Sequence, residues 1–153
     1  MKANKLPRRD FLKASGLGLC AIATVPFKAA ATPQDVQAAI DTVAGAKKQI
    51  DSERIVLTLP EIAENGGTVP LTVSVDSPMT ENDHVKVVHI LADSNPQPGV
   101  ASFTLGPQNG KAELSLRMRL MQSQKVVVAA EMSNGEVWLG RKQVKVTLGG
   151  CGG

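Results

Sequence analysis

Residues 69–75 read Val69-Pro70-Leu71-Thr72-Val73-Ser74-Val75, and their hydropathy has a period of two. Val69, Leu71, Val73 and Val75 fall on one side, Thr72 and Ser74 on the other. Successive side chains of a strand point to opposite faces, so this alternation predicts a strand with one face on a core. The same reading extends in both directions. Residues 54–60 (RIVLTLP) form a short strand before it, and 84–93 (HVKVVHILAD) and 100–106 (VASFTLG) form two after it. In 112–120 (AELSLRMRL), Leu114, Leu116, Met118 and Leu120 alternate with Ser115, Arg117 and Arg119. Residues 124–133 (QKVVVAAEMS) are apolar enough for a central strand. Residues 136–148 close the set, with Val144, Val146 and Leu148 opposite Lys145 and Thr147.

Turn chemistry separates these runs. Asn65-Gly66-Gly67, Asn109-Gly110 and Asn134-Gly135 are hairpin signals, because both residue types tolerate positive φ. Residues 93–99 (DSNPQPG) break the pattern with two prolines and a glycine. About seven short strands with this punctuation predict an all-β, immunoglobulin-like antiparallel sandwich over residues 51–148. The Cys–Trp–Cys hallmark of antibody domains is missing. Edge strands of such a sandwich need protection or pairing, which makes a partner subunit plausible.

Before the strands the period changes to that of a helix. Val36, Ala39, Ile40 and Val43 share one face, with Pro33 and Asp35 in the first turn and Gly45, Lys47 and Lys48 at the end. An amphipathic helix is expected over 33–48, within a segment spanning 32–50 that packs on the sandwich.

Residues 1–31 have the architecture of a cleaved export signal: a basic start, an apolar run over 14–25, and Ala29-Ala30-Ala31. Arg8-Arg9 followed by Phe11, Leu12 and Lys13 resembles the twin-arginine signal, which implies export of a folded protein to the periplasm. This segment holds six of the 17 basic and one of the 14 acidic side chains, so the remainder has 11 and 13, a net charge of −2. The overall charge of +3 therefore gives no ground for a polyanionic partner. Three Phe, one Trp and no Tyr further disfavour nucleic-acid binding. No membrane anchor is expected after processing: Cys20 leaves with the signal, and Leu19 before it is not the small residue a lipid-anchor site needs.

The body carries no phosphate loop, no GxSxG, no HExxH and no Cys/His metal spacing. His84 and His89 lie five apart on one strand, which sends their rings to opposite faces. Met118, Met121 and Met132 suit core packing better than copper binding. Trp138 is expected in the core or an interface, and Glu81 and Asp83 have no array of oxygen ligands around them. No catalytic residue, metal or cofactor is expected, and the chain is not expected to be an enzyme.

Attention therefore falls on the end, Gly149-Gly150-Cys151-Gly152-Gly153. Cys151 is the only thiol left after signal removal, so it stays free, becomes modified, or pairs with another molecule. The flanking glycines suggest a mobile arm over 149–153, with a reach of roughly 10 Å from Leu148 to Cys151 when extended. No basic residue follows Lys145, so the sequence neighbours do not activate the thiol, and the α-carboxylate works against ionisation. Cys151 reads as an attachment point that other proteins load.

The terminal GGCGG, the twin-arginine motif and residues 59–79 (LPEIAENGGTVPLTVSVDSPM) together resemble the SoxY family of the bacterial sulfur-oxidation (Sox) system. The resemblance implies a sulfur carrier in thiosulfate oxidation, with Cys151 holding thiosulfate-derived S-thiosulfonate and persulfide. It implies a SoxZ-like partner, in a heterodimer or a dimer of heterodimers. It also implies three enzymes acting on the carrier: a haem protein, a sulfate-releasing hydrolase and a sulfane dehydrogenase. An exported structural sandwich that forms an intermolecular disulfide through Cys151 is the alternative. A ubiquitin-like carrier activated at its terminal carboxylate conflicts with the export signal, and copper carriage would not need the last five residues.

Overall fold

The computed structural model describes residues 31–150. The export-signal residues Arg8, Arg9, Phe11, Leu12 and Lys13, and Cys151, Gly152 and Gly153, lie outside the described residues.

Among the described residues one α-helix, α1 (Pro33–Ala44), precedes nine strands. Its start is a reciprocal cap: the Asp35 N–H donates to Thr32 Oγ1 at 3.3 Å, and the Thr32 N–H donates to the Asp35 carboxylate at 2.8 Å. The expected extension to residue 48 does not form. Gly45 takes φ +58, a conformation that turns the chain out of the helix. Residues Gln49–Asp51 then become a strand, β1.

The remaining strands are β2 (Ile55–Thr58), β3 (Ile62–Asn65), β4 (Val69–Val75), β5 (Val85–Ala92), β6 (Gly99–Thr104), β7 (Ala112–Met118), β8 (Gln124–Met132) and β9 (Val137–Leu148). A large sheet runs β1-β9-β8-β5-β6, with β3 also on β9, and a small sheet runs β2-β4-β7. The two sheets face each other as a sandwich. Two of the nine strands went unread: β1 is three residues long, and β3 (Ile62-Ala63-Glu64-Asn65) has no apolar/polar alternation, which is why the sequence suggested about seven. Both pair with β9 in parallel, Gln49 opposite Val137 and Ile62 opposite Lys145. The sandwich is thus antiparallel except along the outer edge of β9. There the chain visits β1, crosses to the small sheet as β2, and returns as β3.

The register of residues 69–75 is as the alternation requires. Val69, Leu71 and Val73 are at most 1% exposed, and Thr72 lies outward, bonded to Ser115 of β7 at 3.0 Å. Burying such a side chain contributes about 1.5–3 kcal/mol. Strands β5 and β8 do not alternate because both their faces are covered. Val88, Ile90, Val126, Val128 and Ala130 face the small sheet. Leu91, Val127 and Ala129 face α1, through Val36, Ile40 and Ala44. Val43, expected on the apolar face, is only half-buried.

Of the three Asn-Gly signals, only Asn134-Gly135 joins paired neighbours, β8 and β9, with Gly135 at φ +86. Asn109-Gly110 and Asn65-Gly66 lie where the chain passes between the sheets. The Pro-rich 93–99 segment instead connects the antiparallel pair β5 and β6.

Candidate functional site

Strand β9 ends at Leu148, and the chain does not leave the domain there. The Gly66 N–H donates to the Leu148 carbonyl at 2.7 Å, the Leu120 N–H to the Gly66 carbonyl at 2.8 Å, and the Gly150 N–H to the Leu120 carbonyl at 3.0 Å. Three separate segments are thereby laced together by backbone alone: the β3–β4 connection, the stretch after β7, and the terminal glycines. Gly150 is buried. The arm expected to begin at Gly149 is thus held against the body for two residues, and Cys151 is the next residue along.

Glycine is required here by proximity. Gly66 is not among the residues with positive φ. A Cβ on it would stand 2.1 Å from the Leu120 carbonyl oxygen, 2.8 Å from the Gly150 nitrogen and 2.8 Å from Val146 Cγ1. A Cβ on Gly149 would stand 2.1 Å from the Met121 carbonyl oxygen. On Gly150 it would meet Arg119 Cγ at 2.8 Å and the Gly66 carbonyl oxygen at 2.9 Å. Sequence reading assigned Gly149 and Gly150 to flexibility and Gly66 to a hairpin. A close approach of backbones leaves the same glycines in a sequence, so the two demands look alike there. Arg119 also qualifies the view of the thiol's surroundings. No base follows Lys145, yet the fold brings the Arg119 stem against the residue before Cys151.

Behind this contact lies a polar brace that sequence reading missed. Asn95 Nδ2 donates to the Arg119 carbonyl at 2.8 Å, and Asn95 Oδ1 accepts the Met121 N–H at 3.1 Å. Gln124, 2% exposed, donates to Asn95 Oδ1 at 2.9 Å and accepts the Ser94 N–H at 2.8 Å. The stretch that receives Gly150 is held from its other side by these two amides. Gln124 stands between Ser123 and Lys125 in the sequence, so nothing there marked it as buried.

The histidines have separate surroundings. His84 precedes β5 and bonds Thr80 O through Nδ1 at 3.0 Å. His89, within β5, lies 3.1 Å from Glu131 through Nε2 and 2.8 Å from Ser102 Oγ through Nδ1. Lys47 pairs with the same Glu131 carboxylate. Burial raises the Glu131 pKa, and the bonds from Lys47 and His89 together outweigh it, holding the carboxyl below its ordinary range. A shallow groove of about 540 Å³ opens beside His89 and Ser102, between α1 and β6.

Met118 and Met132 are core residues, 3% and 2% exposed, whereas Met121 is half-buried. Trp138 is buried in the core, with the Arg54 guanidinium 4.4 Å above its ring. Leu148, expected inward, is 70% exposed because β9 runs past the end of β8. Among the described residues no group of three His, Cys, Asp or Glu is placed to hold a metal ion. No helix among them is long and apolar enough to cross a membrane.

Comparisons with known proteins agree with this architecture. Among solved structures, the sulfur carrier protein SoxY from Chlorobium limicola f thiosulfatophilum is similar, with a TM-score of 0.65 and 34% identity over 75% of this chain and 98% of that one. A superoxide reductase (neelaredoxin) from Ignicoccus hospitalis shares the fold alone: TM-score 0.54 and 14% identity over 76% of this chain and 94% of that one. A putative superoxide reductase from Thermotoga maritima does likewise, at 0.52 and 16% over 67% and 89%. No curated protein matches the chain. The model of the family described as sulfur oxidation protein SoxY matches residues 40–151, from within α1 to the terminal cysteine. The chain belongs to the SoxY family of sulfur oxidation proteins.

Proposed function

We propose that the chain is a sulfur carrier of periplasmic thiosulfate oxidation, exported through its twin-arginine signal, and that Cys151 is the covalent attachment site. One observation carries the reading. The family match runs to Cys151 itself, and a member of that family with a solved structure is a sulfur carrier protein.

In the first step thiosulfate joins the Cys151 sulfur. A sulfur–sulfur bond forms, the thiol loses its proton, and two electrons pass to a haem-containing partner. Hydrolysis of the resulting S-thiosulfonate breaks the bond to the terminal sulfonate. Water supplies the fourth oxygen of the departing sulfate, and a persulfide stays on Cys151. A sulfane dehydrogenase then oxidises that sulfur in place. The chain contributes the thiol and its presentation and has no turnover or resident cofactor of its own. A SoxZ-like subunit completes the working unit, as a heterodimer or a dimer of heterodimers.

Intact-mass spectrometry of protein purified from its native periplasm tests the reading. Reductant-sensitive additions of sulfur or thiosulfate, confined to the C-terminal peptide and lost in Cys151→Ser, are expected. An unmodified thiol after incubation with thiosulfate and the partner enzymes would overturn it. A reductant-sensitive dimer of the chain, without sulfur adducts, would favour the structural alternative.

A further inference from the structure

We propose that Gly66 is a positioning residue for the thiol: it is the side-chain-free gap through which the chain end is laced to the domain as far as Gly150. The inference adds to the carrier reading a residue 85 positions away in sequence from Cys151.

Three observations converge on Gly66. Its N–H and carbonyl bond to two different segments, Leu148 and Leu120, at 2.7 and 2.8 Å. Its Cα faces the Gly150 nitrogen so closely that a methyl group would lie 2.8 Å from it and 2.1 Å from the Leu120 oxygen that Gly150 itself uses. Its φ is not in the left-handed region, so turn geometry does not account for a glycine here. The partner groups are themselves fixed, since Asn95 holds the carbonyl of Arg119 and the N–H of Met121 on either side of Leu120.

The consequence is geometric. With Gly150 laced down, Cys151 stands one Cα step, about 3.8 Å, beyond the anchored chain. With the lacing open, the free chain starts at Leu148 and the reach grows to roughly 10 Å. The chain end has a short and a long form separated by a single buried backbone hydrogen bond and the packing of two glycines. The net contribution of one such bond is small, so the long form stays accessible to a partner that binds it. A side chain at Gly66 removes the short form.

Hydrogen exchange by mass spectrometry on the full mature chain, over the C-terminal peptide, tests this directly. The Gly150 amide is expected to exchange about tenfold more slowly than in the free peptide. Gly66→Ala is expected to abolish that protection and to raise the rate at which a bulky maleimide labels Cys151, relative to a small alkylating agent. Gly149→Ala acts from beyond the last strand, where its methyl would press on the Met121 carbonyl oxygen next to Leu120, and is expected to have the same effect. Gly99→Ala, with open space around the new methyl, is the control. An unprotected Gly150 amide in the wild type, or protection unchanged in both Gly66→Ala and Gly149→Ala, overturns the proposal. Neither readout requires thiosulfate, so failure of sulfur loading would count against the carrier function and leave this inference standing.

Discussion

Gln124 Nε2 donates to Asn95 Oδ1 at 2.9 Å, and the same nitrogen lies 3.2 Å from the Gln122 carbonyl. This pair of amides ties the β5–β6 connection to the start of β8 and carries the stretch on which Gly150 rests. The contact that holds Gly150 thus depends on a network more than 25 residues away in sequence.

Replacing Gln124 by Leu conserves bulk and removes every one of these bonds. The Ser94 N–H and the Gln122 carbonyl lose their partners, at a cost of about 1–3 kcal/mol. Asn95→Ala should cost a similar amount, and the double variant less than the sum, because the two side chains share a bond. Denaturant unfolding of the three proteins checks this. Strict additivity would show that the two amides act separately.

Gly140 marks a second close approach, where β2 crosses over β9. An added Cβ would lie 2.7 Å from Ile55 Cγ2 and 2.8 Å from Leu57 Cδ1. Gly140→Ala is expected to destabilise the domain by about 1–3 kcal/mol through overpacking, with labelling of Cys151 in the folded protein unchanged. A thermal melt and a thiol-labelling rate measured on the same sample distinguish this site from Gly66, where labelling is expected to change.

Much of this fold was legible from periodicity. Strands β4 and β7 alternate because one face of the small sheet meets solvent, and β8 reads as a continuous apolar run because α1 covers its second face. The parallel edge was not legible. β1 and β3 take their pairing from β9, more than 80 residues further along, and three or four residues carry no period of their own. At the site, Cys151 stood out by being the only thiol after signal removal. Gly66, Leu120 and Asn95 did not, because their roles rest on backbone atoms and short polar contacts between distant segments, to which residue type is nearly blind. The run of glycines suggested freedom, whereas at Gly149 and Gly150 the same absence of side chains permits contact.

Glu131 gives a prediction about pH. Its side chain is 14% exposed and accepts bonds from Lys47 and His89, so its carboxyl titrates below its ordinary range in the folded protein. A depressed carboxyl pKa stabilises the fold at pH values above the unfolded pKa, about 4.3, and that contribution disappears as the pH falls through the lower folded value. Glu131→Gln lacks the charge at every pH. It is therefore expected to be less stable than the wild type by about 1 kcal/mol near neutrality, a modest figure because Lys47 is partly in solvent. The gap should narrow as the pH is lowered below about 4. Denaturant melts of both proteins from about pH 7 down to about pH 3 measure it. A gap that stays constant over this range would mean that Glu131 acts through shape and neutral hydrogen bonding, with no part played by its charge.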